Sequence, residues 1–116
     1  MKRKNAKTTM MALSVFERIH FESILPQNGT VAEMDLAVSL TKRVNFLPKE
    51  IEEYGIVNLP DGRTAWIDKK AKSREFSFES YEMLFIQQGA RKLEELKLVA
   101  RYNKDLVKRF LAIVIK

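Results

Sequence analysis

Cysteine is absent from this chain, and histidine and tryptophan occur once each. The lack of cysteine excludes disulfides, thiolate nucleophiles and zinc–thiolate sites, and it fits a reducing cytoplasm. The single histidine, His20, leaves no pair of imidazoles for a metal, and the sequence has no glycine-rich phosphate loop or hydrolase motif. No apolar run approaches the roughly 18 residues that span a bilayer. We therefore predict a cytoplasmic protein that is not an enzyme, needs no cofactor or metal, and has no membrane segment.

Basic charge is concentrated at the amino terminus. The 116 residues carry a formal net charge of +6. Four basic residues precede any periodic segment, and subtracting them leaves +2 for the rest of the chain: Lys2, Arg3, Lys4 and Lys7. Such tails are usually solvated, although some bind nucleic acid. We predict a flexible basic leader over residues 1–12, followed by a single domain over residues 13–116.

The first half of the domain has the order helix, helix, helix, hairpin. Capping boxes of the form Ser/Thr-x-x-Glu begin at Ser14 and Thr30 and predict two helix starts. Pro48 and Gly55 suit the first turn and the C-terminal cap of a short third helix. The Pro-Asp-Gly sequence that ends at Gly62 lies between β-forming residues and predicts a hairpin. This order is the layout of a winged helix-turn-helix.

The second half predicts one further strand and two helices. Residues 74–78 alternate polar and apolar residues, which is typical of a strand. Helical spacing then runs over about residues 79–98, interrupted by Gly89, and Asn103 can cap a last helix. The fold class predicted is α+β and mostly helical. It consists of a three-helix winged-helix-like unit, a small antiparallel sheet and two C-terminal helices.

The third helix has the wrong charge for a DNA reader. Its carboxylates outnumber its one lysine and would repel a phosphate backbone. A metal site is disfavoured, because no histidine is available as a partner and the carboxylates do not share one face. A solvated acidic face is therefore expected, and we take this helix, with the hairpin, as the candidate protein-binding surface: Glu50, Glu52, Glu53 and Tyr54.

A basic cluster after the hairpin supports the alternative of nucleic-acid binding, since winged-helix proteins often contact phosphate there. Its residues are Lys69, Lys70, Lys72 and Arg74. The cluster has no interleaved aromatic residues, so a solvated loop is the competing interpretation. Trp66, on the second hairpin strand, is predicted to close the core, and Phe76 and Phe78 are predicted to meet the long helix.

The C-terminal segment 110–115 is apolar on nearly all sides. A helix of this kind must be buried, either in its own core or against another chain. We predict self-association as a homodimer with Phe110 and Val114 central, and the alternative is that the segment packs across the three-helix unit.

From Ser14 to about Phe110 the chain resembles small uncharacterised proteins encoded by bacteriophages and prophages. The residues that carry the resemblance are Leu13-Ser14, Glu17-Arg18, Ile24-Leu25-Pro26, Gly29, Phe46, Glu50, Gly62, Trp66 and the late leucine-rich helix. The resemblance implies a phage origin, with the cytoplasm of the host cell as the location, and it implies no established activity. The function predicted is a non-enzymatic accessory protein that binds a host protein as an inhibitor or adaptor, including one directed at host defence. The alternatives are a winged-helix DNA-binding regulator and a component of virion assembly.

Overall fold

The computed structural model describes residues 8–115, which fold into five α-helices and four strands. A 3-10 turn, Phe21–Ile24, continues α1. In chain order the elements are β1 Thr8–Leu13, α1 Val15–His20, α2 Val31–Val44, α3 Pro48–Tyr54, β2 Val57–Asn58, β3 Thr64–Ala65, β4 Arg74–Glu79, α4 Ser80–Glu95 and α5 Lys104–Leu111. The predicted α+β class with a mostly helical content is confirmed.

Strand β1 begins inside the segment that the sequence predicts to be a flexible leader. It pairs antiparallel with β4 over its whole length, so that Met11 lies opposite Phe76. Met11 and Leu13 are buried while Met10 is exposed, as expected for a strand with one face on the core. The leader prediction is therefore wrong for residues 8–12, because their partner strand lies far along the chain. Residues 1–7 lie outside the described residues.

The hairpin forms, but the winged-helix likeness is not confirmed. Strands β2 and β3 pair over two residues each, and their sheet is separate from the β1–β4 sheet. Gly62 has a φ of 89° in the connecting turn, where only glycine is unstrained. The strand predicted over residues 74–78 forms as β4. It pairs with β1, the first strand of the described chain, instead of with the hairpin.

The core lies between the β1–β4 sheet, the 3-10 turn and the last two helices. Its centre is a trio of phenylalanines, Phe21, Phe78 and Phe110, whose ring centroids lie 5.9–6.1 Å apart. All three rings are almost completely buried. Aromatic rings at such separations attract one another beyond simple area burial. Phe76 and Phe78 are buried as predicted, whereas Phe110 belongs to the chain's own core.

Gly89 allows α4 to lie directly against the end of the 3-10 turn. A Cβ atom at this position would lie 2.3 Å from the carbonyl oxygen of Ile24 and 2.7 Å from Cδ of Pro26. Glycine weakens a helix by about 1 kcal/mol relative to alanine. At this position a side chain would collide with the backbone of Ile24, so only glycine allows α4 to pack this closely. This close packing explains why a glycine interrupts the helical spacing of the sequence.

Three arginines join helix starts to remote segments by one repeated arrangement. The glutamate at the third helical position accepts the cap residue's backbone N–H and also binds an arginine from elsewhere in the chain. The pairs, which we call the arginine clamps, are Arg109–Glu17 at α1, Arg18–Glu50 at α3 and Arg43–Glu82 at α4. Their N–O distances are 2.6–3.0 Å. Because each arginine also donates to a backbone carbonyl of another segment, the clamps hold the helices to one another.

The Arg18–Glu50 clamp is the most enclosed of the three. The Arg18 side chain has no exposed surface, and that of Glu50 is 8% exposed. Arg18 donates Nε to the carbonyl of Val44 and Nη2 to that of Asn45, at 3.0 Å each. The ring of Phe46 lies 4.1 Å from the guanidinium carbon. Hydrogen bonds from Arg18 hold the pKa of the Glu50 carboxyl below its ordinary value, which favours the carboxylate form of Glu50.

Candidate interaction surfaces

The predicted acidic surface on α3 divides into an inner and an outer side. Glu50 and Tyr54 are four residues apart, face inward and are buried. The prediction that these two residues belong to an exposed binding face is wrong. Both are buried, and the carboxylate of Glu50 accepts two hydrogen bonds from Arg18. Glu52 and Glu53 are exposed and remain candidates. Charge alone could not separate these carboxylates, because the buried one is distinguished by an arginine that lies on another helix.

The outer side of α3 is more apolar than its charges suggest. Leu47 and Ile51 are 45% and 43% exposed and lie one helical turn apart. We call the exposed residues Leu47, Ile51, Glu52 and Glu53 the α3 face, although they span more than one side of the helix, with Glu53 about 160° around the axis from Ile51. Beside it lies a cleft of about 290 Å³ between α1 and the hairpin, with Ile51 in its wall. Glu52 thus borders the apolar pair, whereas Glu53 is exposed on the opposite side of the helix from Ile51.

The predicted basic cluster also divides. Lys69, Lys70 and Lys72 are exposed on the connector after β3. Arg74 is half-buried, with Nη1 3.6 Å from Oε1 of Glu50 and its guanidinium 4.9 Å from the ring centroid of Phe76. Arg74 therefore belongs to the surroundings of the Arg18–Glu50 clamp. Its assignment as a free phosphate contact is corrected, whereas the three lysines stay available.

Trp66 does not close the core. Its side chain is half-buried, its Nε1 donates to Oδ1 of Asp68 at 2.8 Å, and its ring lies 6.4 Å from that of Phe16. The prediction of a core tryptophan is wrong because the short hairpin extends beside α1 instead of covering the sheet. Trp66 is thereby placed at the surface, next to a second aromatic residue.

A row of aromatic side chains crosses this surface and was not predicted. The rings of Phe16 and His20 are 4.6 Å apart, and those of His20 and Tyr102 are 4.7 Å apart. With Trp66 these residues form what we call the aromatic row. Phe16 is 44% and Tyr102 50% exposed. The only local signal is the helical spacing of Phe16 and His20, since the other two rings come from distant segments. Burial lowers the pKa of the His20 imidazole, which favours its neutral form.

Two hollows lie beside the aromatic row and share Ser14 and Phe16. The α5-side hollow, of about 380 Å³, is completed by Glu17, Arg101, Tyr102, Asp105 and Leu106. The hairpin-side hollow, of about 180 Å³, is completed by Val15, Trp66, Asp68, Ala71, Lys72 and Ser73. Exposed rings therefore border recesses that also contain basic side chains.

The C-terminal segment is not a helix apolar on all sides. Helix α5 ends at Leu111, and the following residues are held partly by Gln87, whose Nε2 donates to the carbonyls of Phe110 and Ile113. Ile113 packs against the core while Val114 is 76% exposed. Because Phe110 is fully buried in the chain's own core, it is not available at a dimer surface. Of the two predicted self-association residues, only Val114 is exposed.

Nothing in the described part of the chain resembles a metal centre. Residues 8–115 contain no group of three or more histidine, cysteine or acidic side chains placed to hold a metal ion. Over the same residues, no helix combines the length and apolar character needed to cross a membrane. Comparisons with protein families, with curated proteins and with solved structures found no match to this chain.

Proposed function

We propose that this chain is a non-enzymatic accessory protein that binds a host protein through the α3 face, as an inhibitor or adaptor. The observation that carries the proposal is the exposure of Leu47 and Ile51 on a helix whose inner side is fixed by the Arg18–Glu50 clamp. Apolar residues in the centre of an interface, surrounded by charged ones, are typical of protein-binding surfaces.

Rigidity favours binding by this face. The clamp joins α3 to α1 and to the end of α2, so α3 does not need to become ordered when a partner arrives. A preorganised surface avoids much of the entropic cost of association. Glu52, the neighbour of Ile51, favours a partner with a basic residue beside an apolar pocket.

A phage origin and a cytoplasmic location remain part of the proposal. They rest on the resemblance of residues 14–110 to small phage proteins. Glu17, Arg18 and Glu50, which contribute to that resemblance, are clamp residues in the structure. The resemblance therefore bears on the fold, and action on host defence is an analogy with small phage proteins that lack catalytic motifs.

Capture of a partner from a bacterial host lysate tests the proposal. The tagged full chain should retain a stoichiometric host protein, Ile51→Lys should lose it, and Val31→Lys, at an exposed position on α2, should keep it. Circular dichroism should show that both variants fold. Capture that Ile51→Lys leaves unchanged, or the absence of any retained protein, would contradict the proposal. Retention of duplex DNA alone would favour the winged-helix regulator instead, and incorporation into particles would favour an assembly component.

A further inference from the structure

The aromatic row lies apart from the α3 face and combines features that suit another class of ligand. Phe16 and Tyr102 are about half exposed, and Trp66 is half-buried beside Phe16. Exposed rings are costly in water, and a set of them close together marks a binding surface more often than single exposed residues do. The α5-side hollow lies beside Phe16 and Tyr102, with space for a flat group.

Positive charge is concentrated at the Trp66 end of the row. Lys72 lines the hairpin-side hollow together with Trp66 and Phe16, and two more exposed lysines, Lys69 and Lys70, precede it on the same connector. These side chains bring together basic and aromatic groups that the sequence does not interleave. An anionic ligand with flat apolar groups would match both features.

The carboxylates near the row decide where phosphates can lie. Asp68 accepts the indole N–H of Trp66, and Glu17 is bound through both oxygens by Arg109. Asp105 lines the α5-side hollow, where Arg101 is its basic counterpart. The lysine connector is therefore the favourable side for a phosphate backbone, and the exposed rings are the favourable place for bases.

We propose that the aromatic row and the lysine connector form a binding site for single-stranded nucleic acid. Unpaired bases stack on Phe16, Trp66 and Tyr102, and phosphates contact Lys69, Lys70 and Lys72. A duplex is disfavoured, because its bases are already stacked on one another and cannot reach side-chain rings without unpairing. The site is independent of the α3 face, so this inference goes beyond the proposed function and does not depend on it.

Trp66 is the only tryptophan in the chain, so its fluorescence reports directly on the site. The full chain is titrated with an oligo(dT) of about fifteen nucleotides and, separately, with a duplex of the same length. We expect saturable quenching by the single strand, weakening with added salt, and much weaker binding of the duplex. Absence of binding, or equal binding of duplex and single strand, would overturn the proposal.

Variants of the full chain separate stacking from charge, with affinities measured by anisotropy of a labelled oligo(dT). Tyr102→Ala should weaken binding roughly five- to hundredfold, from the usual contribution of one base–aromatic stack. Tyr81→Ala, an exposed tyrosine on α4, is the matched control and should change affinity less than twofold. Lys72→Ala should weaken binding and reduce its salt dependence. If the Tyr102 and Tyr81 variants behave alike, bases do not stack on the row.

Two further variants distinguish binding at the aromatic row from binding by the basic amino-terminal tail or by the α3 face. Replacing the four basic residues Lys2, Arg3, Lys4 and Lys7 by alanine should weaken binding but preserve its dependence on Tyr102. Complete loss of binding in that variant would assign the activity to the basic tail. Ile51→Lys should leave oligonucleotide affinity unchanged. If Tyr102→Ala abolished capture of a host protein while leaving oligonucleotide binding intact, the row would be a protein-binding surface and the inference would be wrong.

Discussion

Replacing Arg18 with methionine should destabilise the protein strongly, although Arg18 is buried behind the α3 face and does not form part of it. The change leaves the buried Glu50 carboxylate with the backbone N–H of Leu47 and, at 3.6 Å, the guanidinium of Arg74 as its partners among the described residues, and it removes the donors to the carbonyls of Val44 and Asn45. Breaking a buried ion pair from one side costs about 3–5 kcal/mol. At roughly 4 °C per kcal/mol for a domain of this size, the melting temperature should fall by about 12–20 °C.

The double variant Arg18→Met with Glu50→Met distinguishes the free energy of the Arg18–Glu50 ion pair from that of the other hydrogen bonds that Arg18 makes. Removing both charges should recover part of the loss, since a buried ion pair is often replaceable by apolar residues of similar volume. Recovery should be incomplete, because the buried carbonyl of Val44 still lacks its donor, at a cost of about 1–3 kcal/mol. The expected coupling energy is on the order of 2 kcal/mol.

Urea unfolding followed by circular dichroism measures these free energies, and the exposed pair Arg63–Asp61 is the control. Its side chains are 76% and 54% exposed, so Arg63→Met should cost at most about 1 kcal/mol. The reasoning is refuted if Arg18→Met costs no more than Arg63→Met, or if the double variant is as unstable as the sum of the single ones.

Three further predictions concern the packing and the carboxylates. Gly89→Ala should destabilise the protein by about 1–3 kcal/mol, measured by urea unfolding, because the added Cβ meets the backbone of the 3-10 turn. This loss is expected although alanine has the better helix propensity. Unchanged or raised stability would contradict the contact. The free energy of unfolding should decline as the pH falls below about 4.5, because hydrogen bonds from arginine lower the folded-state pKa of Glu50 and Glu82, so the unfolded chain binds more protons there. Glu50→Gln should flatten this decline in unfolding measured between pH 7 and pH 3, and an unchanged decline would show that Glu50 does not contribute. Phe110→Ala should cost about 3–5 kcal/mol as a core truncation, whereas Val114→Glu should fold with little change. If the protein dimerises through Val114, light scattering should show the Val114→Glu variant as a monomer, and a monomeric wild-type chain would exclude the dimer.

Local signals in the sequence predicted the elements whose causes lie within a few residues. The capping boxes at Ser14 and Thr30 form as the spacing indicates, with both reciprocal hydrogen bonds present. Gly55 ends α3 with a φ of 64°, and Gly62 occupies the hairpin turn with a positive φ. These features depend on dihedral preferences and on partners up to three positions away, so the local amino-acid sequence is enough to predict them.

Tertiary structure alone decided which polar residues are available for function. Glu50 and Glu52 look alike in the sequence, yet the first is buried by an arginine 32 positions away and the second is exposed. The pairing of β1 with β4, the aromatic row and the end of α5 likewise depend on segments that meet only when the chain folds. Sequence spacing fixes which side chains neighbour one another along a helix or strand. Which carboxylate meets an arginine, and which ring remains at the surface, is set by long-range packing that no local pattern encodes.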